Sequence, residues 1–320
     1  MLNPIPYGSV FFAPMERITD ETFRKVILKL YPEWDYLACD FLRVPAAGMY
    51  PQKHLIRHFG NDLFQIPWVK EKTMYQILTS KKSFTDMIAG QLQEIGIPWL
   101  DVNLGCPSNT VCKHGGGSFL LTDLHSLRPI IKGIRDNFKG RFTAKIRIGF
   151  QDTSSFEDSI KLLNDEGVEM ITVHGRTRED MYKTPARWEF IARAVQLSQV
   201  PIIGNGDTWK PSDIDRMLKE TGCHGVMVAR GALKFPWMAQ DYRRGHFDLD
   251  PDLHLQKVKH FLIEYQSHLE AVNVSPRGIL KQSKSISRFM FDDLLDGEKM
   301  RRRLLLSQTV PDFFNHVHAL

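Results

Sequence analysis

The sequence predicts an α/β fold: a closed (β/α)8 TIM barrel over residues 1–243, followed by a small all-helical domain over residues 244–320. Three observations predict it. Short apolar or β-branched runs alternate with amphipathic runs through the first three quarters of the chain. Several of these runs are apolar at nearly every position, as parallel strands buried on both faces are. After Arg244 the strand-like runs stop and only helix-like segments follow. An open doubly wound sheet is the structural alternative.

The eight candidate strands are Ser9–Ala13, Tyr36–Asp40, Met74–Thr79, Trp99–Asn103, Thr143–Ile148, Met170–His174, Pro201–Asn205 and Gly225–Ala229. Helices are expected between them. Glu21–Leu30 follows the capping pair Thr19-Asp20, and Ser83–Ile95 and Leu124–Phe138 come next. Ser155–Glu166 stops at Gly167, and Pro211–Thr221 opens on proline and ends before Gly222. In the C-terminal part, Asp252–Val272, Arg277–Phe291 and Glu298–Phe314 read as three helices, punctuated by Pro251, Pro276 and Gly297.

Composition bounds the function. The 320 residues are 42% hydrophobic and 25% charged, with a net charge of +5. That mix has enough apolar content to offset ordering entropy, which excludes a mainly disordered chain. No run of 18 apolar residues and no basic-then-apolar leader is present, so neither a membrane span nor a secretory signal is expected. Cys39, Cys106, Cys112 and Cys223 contain no C-x-x-C pair and read as free thiols of a cytoplasmic protein. Cys112 and His114 form a lone C-x-H pair, so no metal centre is expected.

In a barrel, the C-terminal strand ends face the active site. Polar residues gather there: Asp40 and Arg43 after the second strand, Gln76 in the third, Asn103 at the end of the fourth, Lys145 and Arg147 in the fifth, and His174 ending the sixth. Polar groups within apolar strands are costly unless they are partnered. After the seventh and eighth strands, Asn205-Gly206-Asp207 and Ala229-Arg230-Gly231 combine glycine with a cation, which suits a phosphate-bearing cofactor. Cys106 lies in a polar loop between Gly105 and the triple glycine 115–117, and reads as a reactive residue on a mobile loop. Lys145, between Ala144 and Ile146, reads as a Schiff-base nucleophile or as a cation beside an electron-rich cofactor. His174 is open to an acid, base, donor or structural role. No Walker A or G-x-G-x-x-G motif occurs, so a Rossmann dinucleotide site is not expected.

Taken together, Ala13-Pro14-Met15 with Thr19-Asp20, Asn103-Leu104-Gly105-Cys106-Pro107-Ser108, Lys145-Ile146-Arg147-Ile148-Gly149, His174-Gly175-Arg176-Thr177 and Asn205-Gly206-Asp207 resemble the tRNA-dihydrouridine synthase family. The resemblance runs over the whole chain. It implies an FMN-containing barrel that reduces the C5=C6 bond of a tRNA uridine, with NADPH as co-substrate. Hydride would pass to C6 and Cys106 would protonate C5. Carried over by position, Pro14, Met15, Glu16, Gln76, Lys145 and His174 would lie against the flavin. Asn205, Gly206, Asp207, Ala229 and Arg230 would hold its ribityl and phosphate groups. Asn103 and Arg147 would face the uracil, and Arg43 would also bind the substrate. Phe41-Leu42-Arg43-Val44 and Thr110-Val111 resemble more narrowly a bacterial subfamily that modifies uridine 16 of the D-loop. Two positions depart from the family pattern: Thr79 after the third strand, and Ala229 before Arg230-Gly231, each where glycine is usual.

Charge patterning adds a substrate expectation. No acid occurs between Glu270 and Asp292, while Arg277, Lys281, Lys284 and Arg288 recur at helical spacing. This face fits an RNA phosphate track, with Gln282 among the substrate contacts and Arg301-Arg302-Arg303 as an extension. The resemblance makes the expected partner tRNA, and the protein is expected to act as a monomer. Competing readings are an FMN barrel acting on a free pyrimidine such as dihydroorotate, a Lys145 aldolase, and a non-catalytic RNA-binding barrel.

Overall fold

In the computed structural model, which describes residues 2–81, 83–248 and 250–320, the apolar runs form parallel strands and the amphipathic runs form helices. In chain order these are β1 (Ser9–Phe12), α1 (Glu21–Leu30), β2 (Tyr36–Ala38), β3 (Leu42–Arg43), α2 (Gln52–Phe59), α3 (Pro67–Lys72), β4 (Thr73–Leu78), α4 (Thr85–Glu94), β5 (Trp99–Leu104), α5 (Asn109–Lys113) and α6 (Leu124–Asn137). Then follow β6 (Arg141–Arg147), α7 (Phe156–Asp165), β7 (Met170–His174), α8 (Trp188–Leu197), β8 (Ile202–Asn205), α9 (Pro211–Thr221) and β9 (Gly225–Val228). The remainder is helical: α10 (Arg230–Lys234), α11 (Met238–Arg244), α12 (Pro251–Ala271), α13 (Pro276–Ser287), α14 (Gly297–Leu306) and α15 (Val310–His318).

The sheet is closed. Phe11 of β1 pairs with Met227 of β9 on one side and with Tyr36 of β2 on the other. Strands β4 to β9 run as consecutive parallel neighbours, and Leu37 of β2 pairs with Thr73 of β4 to complete the ring. The open-sheet alternative therefore falls. β3 is a two-residue strand against the edge of β4 and not a barrel stave.

Two apolar cores result. The larger lies between the strands and the outer helices. The smaller fills the barrel interior with Phe11, Met74, Trp99, Met170, Ile203 and Met227, on which Leu2 and Ile5 pack. His224 Nε2 meets the Ile5 carbonyl at 2.7 Å, so the segment before β1 is fastened across the N-terminal ends of the strands. This makes a packed floor and leaves the opposite end as the mouth of a filled barrel.

The structure differs from the expected elements in several places: the short helices α2, α3, α5, α10 and α11 were not anticipated, and neither was α8. Its apolar residues Trp188, Phe190, Ile191, Ala194, Val195 and Leu197 spread over more than one face, because the helix packs on β7, β8, α7 and α9 at once. The helix expected over Glu298–Phe314 is two. Pro311 cannot extend α14, and the Thr309 side chain caps α15 by accepting from Asp312 N–H at 3.2 Å.

The helical C-terminal region docks on α1. Phe23 meets the rings of Phe261 and Tyr265 edge-on at 6.0 and 6.1 Å, and the Lys29–Glu264 ion pair closes the seam at 2.6 Å. α13 also packs on α10, the short helix that follows β9 at the mouth. No helix among the described residues is long and apolar enough to cross a membrane.

Candidate active site

The strand ends of the barrel open into a cavity of about 350 Å³. Of the residues anticipated from sequence, Pro14, Met15, Glu16, Asn103, Cys106, Lys145, Arg147, His174, Asn205, Gly206, Asp207, Ala229 and Arg230 line it. Gln76 does not: it is fully buried behind Asn103. Arg43 stands outside the lining, exposed at the rim, with its guanidinium 3.2 Å from Glu16 Oε1.

One end of the cavity is built around Cys106 by a directional chain of hydrogen bonds. Thr143 Oγ1 donates to Asp101 Oδ1 at 2.6 Å, and Gln76 Nε2 donates to Asp101 Oδ2 at 2.7 Å. Asn103 Nδ2 then donates to Gln76 Oε1 at 2.8 Å, and Asn103 Oδ1 accepts from Gly105 N–H at 3.0 Å and Cys106 N–H at 2.9 Å. A carboxylate only accepts, so Asp101 fixes which way both amides face. Gln76 is thus a link in this chain, which is why it is absent from the cavity wall.

The Cys106 carbonyl accepts from Ser118 N–H at 3.2 Å and from Ser118 Oγ at 2.9 Å. Two of the three glycines have a packing role here. A Cβ at Gly117, which has φ +57°, would stand 2.9 Å from the Cys106 carbonyl oxygen, and one at Gly116 would stand 2.5 Å from that of Thr79. These glycines permit close packing against the cysteine turn. Thr79 is accommodated because only its backbone meets this loop, its hydroxyl pairing with Thr85. Burial pushes the Cys106 thiol up, and Glu16 adds to the effect, so the thiol is protonated at neutral pH. Cys39, Cys112 and Cys223 are buried.

The other end is cationic. Arg176, buried, holds Asp207 with Nη2 at 2.9 and 2.7 Å, and Arg230 reaches the same carboxylate at 3.7 Å. Arg230 lies between the rings of Tyr182 and Trp209, at 4.4 and 4.6 Å from their centroids. Lys145 Nζ donates to Asn205 Oδ1 at 3.0 Å, and Asn205 Nδ2 donates to the Met227 carbonyl at 2.7 Å. Loss of water pushes the Lys145 ammonium down to about 8, with the charge of Arg147 adding to the shift. Burial, with Arg147, Lys145, Arg176 and Arg230 nearby, holds His174 well below its ordinary value, as a neutral imidazole. Arg147 donates from Nε to the Gly105 carbonyl at 2.9 Å, and from Nη1 to those of Thr177 and Met181 at 2.8 and 3.3 Å, so it joins the two ends.

This end fits a phosphate-bearing aromatic ligand. Asp207 adopts a left-handed φ of +54° directly after Gly206 at +119°. A Cβ at Gly231 would stand 2.0 Å from the Thr208 carbonyl oxygen. The first two N–H groups of α10, those of Arg230 and Gly231, have no intrahelical partner. Ala229 has φ −106°, so alanine there carries no left-handed penalty. Met15, Met181, Tyr182, Trp209 and Met227 give the cavity flat apolar walls. Tyr182 and Trp209 were not anticipated: both lie in loops outside the strand-end pattern.

The family model described as "Dihydrouridine synthase (Dus)" matches residues 11–290. The chain belongs to the dihydrouridine synthase family. It is 30% identical to a tRNA-dihydrouridine(16) synthase of Shewanella oneidensis, over 74% of this chain and 75% of that protein. A tRNA-dihydrouridine(16) synthase of Ralstonia nicotianae is 32% identical, over 72% of this chain and 71% of that one. Among solved structures, histamine dehydrogenase from Rhizobium sp. 4-9 superposes with a TM-score of 0.56 at 8% identity, over 81% of this chain and 48% of that one, which shows the shared barrel fold. Within the family frame the match takes in the whole mouth, from β1 to α13.

The RNA-facing residues expected on α13 divide. Arg277, Lys281 and Arg288 are exposed, and none has an acidic partner among the described residues. Lys284 is corrected: its ammonium donates to the Ser307 carbonyl at the end of α14 and leaves the exposed row. Gln282 is corrected as well, its Oε1 accepting from Tyr265 Oη at 2.9 Å and tying α13 to α12. Arg301 is paired with Asp292 at 2.7 Å, while Arg302 and Arg303 are exposed. Among the described residues, no three His, Cys, Asp or Glu side chains are grouped to hold a metal.

Proposed function

We propose that this flavin-dependent tRNA-dihydrouridine synthase reduces the C5=C6 bond of uridine 16 in the D-loop, with FMN as its flavin and NADPH as its reductant. The observation that carries the reading is the two-ended cavity: a protonated, hydrogen-bonded Cys106 at one end and a cationic phosphate cradle at the other. When bound, the flavin would relay hydride from NADPH to the uracil C6.

The chain's own residues do the rest. Asp207, Gly206 and the first turn of α10 orient Arg176 and Arg230 toward a phosphate, and Lys145 sets a positive charge beside the flavin ring. Asn103, held by Gln76 and Asp101, and Arg147, held by backbone carbonyls, face the uracil. Cys106 donates its proton to C5, on the carbon next to the one that gains hydride, so the ring gains H⁻ and H⁺ and stays neutral. Neutral His174 serves as a hydrogen-bonding wall residue and not as the acid. Residues 244–320 act as the tRNA-binding domain, and the enzyme works as a cytoplasmic monomer.

The test is direct. Purified protein carries a flavin absorbance, and dihydrouridine is mapped in tRNA from cells with and without the gene. Loss of dihydrouridine at position 16 alone is the expected result. Loss at another position overturns the site assignment, and no loss anywhere overturns the reading.

A further inference from the structure

Residues 41–61 contain no acid, yet carry Arg43, Lys53 and Arg57. This segment links β2 to α2 and borders the mouth. It holds a surface hollow lined by Tyr50, Pro51, Lys53, His54, Arg57 and Asn61. Lys53 and Arg57 are exposed one helical turn apart on α2, with no acidic partner among the described residues. Arg57 Nη2 lies 3.1 Å from His54 Nδ1. The His54 ring stacks on Tyr50, centroids 4.4 Å apart, and Tyr50 Oη donates to the Arg43 carbonyl at 3.0 Å. Arg43 in turn holds Glu16, which lines the cavity. A run of contacts, passing through the Arg43 backbone, thus leads from the catalytic mouth out to the hollow. His58 is not part of it: it faces inward to the Asp40 carbonyl, and burial pushes it down to about 4.

The segment is fixed rather than draped. Gln91 Nε2 of α4 donates to the Tyr50 carbonyl at 2.9 Å, and Glu21 of α1 accepts from the backbone N–H groups of Asn61, Asp62 and Leu63. Glu21, the acid that meets the end of α2, is therefore engaged by backbone N–H groups. Unpaired cations beside a stacked Tyr–His pair form a surface that takes phosphate and a flat base together.

We propose that residues 43–57 form a second RNA grip, on the barrel itself, in which Lys53 and Arg57 take phosphates of the substrate tRNA and the Tyr50–His54 stack takes an unpaired base. The inference rests on the tRNA reading above. The RNA is then held from both flanks of the mouth, by α2 and by α13.

The experiment measures tRNA affinity of the flavin-loaded enzyme across a salt series, for the wild type, Lys53→Glu/Arg57→Glu, Lys53→Arg/Arg57→Lys and Tyr50→Ala. Melting temperature and flavin absorbance report folding. Charge reversal is expected to weaken binding at least tenfold at low salt and to reduce the slope of log affinity against log salt by about 1.5, the loss of roughly two phosphate contacts. The cation swap is expected to restore both. Tyr50→Ala is expected to weaken binding several-fold with the slope unchanged, because stacking releases no counterions. Unchanged affinity and slope in the charge-reversed variant, beside a wild type that binds tRNA, overturn the second grip alone. A wild type that neither binds tRNA nor forms dihydrouridine in it fails at the underlying reading.

Discussion

The barrel mouth and the exposed face of α13 are both cationic, but they use charge differently. At the mouth each cation is held: Lys145 by Asn205, Arg147 by three carbonyls, Arg176 by Asp207, and Arg230 between two rings. On α13 and at its C-cap, Arg277, Lys281 and Arg288 project into water. Fixed cations in a water-poor site act through geometry, and a small displacement weakens them steeply. Solvated cations act through net charge and are interchangeable. The mouth should therefore be sensitive to near-isosteric changes, and α13 only to changes of sign.

The largest effect is expected at Cys106. Cys106→Ala should keep flavin bound and lower turnover on tRNA by about 10²–10⁴-fold, the usual worth of a positioned acid. Unchanged turnover would remove the cysteine from the chemistry. Asp101→Asn comes next. The new amide can donate as well as accept, so Gln76 and Asn103 are free to turn over, and Cys106 loses a fixed acceptor for its N–H. We expect turnover to fall about 10–100-fold with KM for tRNA little changed, and the pH profile assigned to the thiol to shift. A pure KM effect would show that Asp101 serves substrate binding instead.

A third prediction follows from Lys145. Its ammonium sheds a proton above about pH 8, so a ligand anion that relies on it is held firmly at pH 7 and less firmly as pH rises. FMN affinity of the apoprotein should fall roughly tenfold from pH 7 to pH 9, since only about a tenth of the lysine is then charged. Lys145→Met should bind more weakly at both values and show no such slope. The smallest effects separate two neighbours on α13. Lys281→Glu should weaken tRNA several-fold at low salt without changing melting temperature, whereas Lys284→Met should lower melting temperature with little effect on tRNA, since Lys284 closes the end of α14. Equal behaviour of the two would erase the distinction between the solvated row and the structural lysine.

Much of the barrel was legible because parallel strands buried on both faces must be apolar throughout, and all eight runs became staves. The strand-end rule then placed Asn103, Cys106, Lys145, His174 and Asn205 in one cavity. What was not legible depends on partners distant in sequence. The inward course of Gln76 requires Asp101, 25 residues on. Lys284 and Lys281 are equivalent at helical spacing, and only the approach of Ser307 separates them. Tyr182 and Trp209 sit in irregular loops, where periodicity carries no information about direction. The acid-free run at 41–61 was visible in the sequence, but it gains meaning only when Tyr50 is seen to lean on Arg43 at the rim.

The fastened segment before β1 sets the polarity of the whole molecule. Leu2 and Ile5 are built into the barrel floor, at the far end from Cys106. Any handle attached ahead of them emerges beneath the enzyme. A protein tethered to a surface through that end presents its open mouth outward and stays free to receive a molecule as large as a folded RNA.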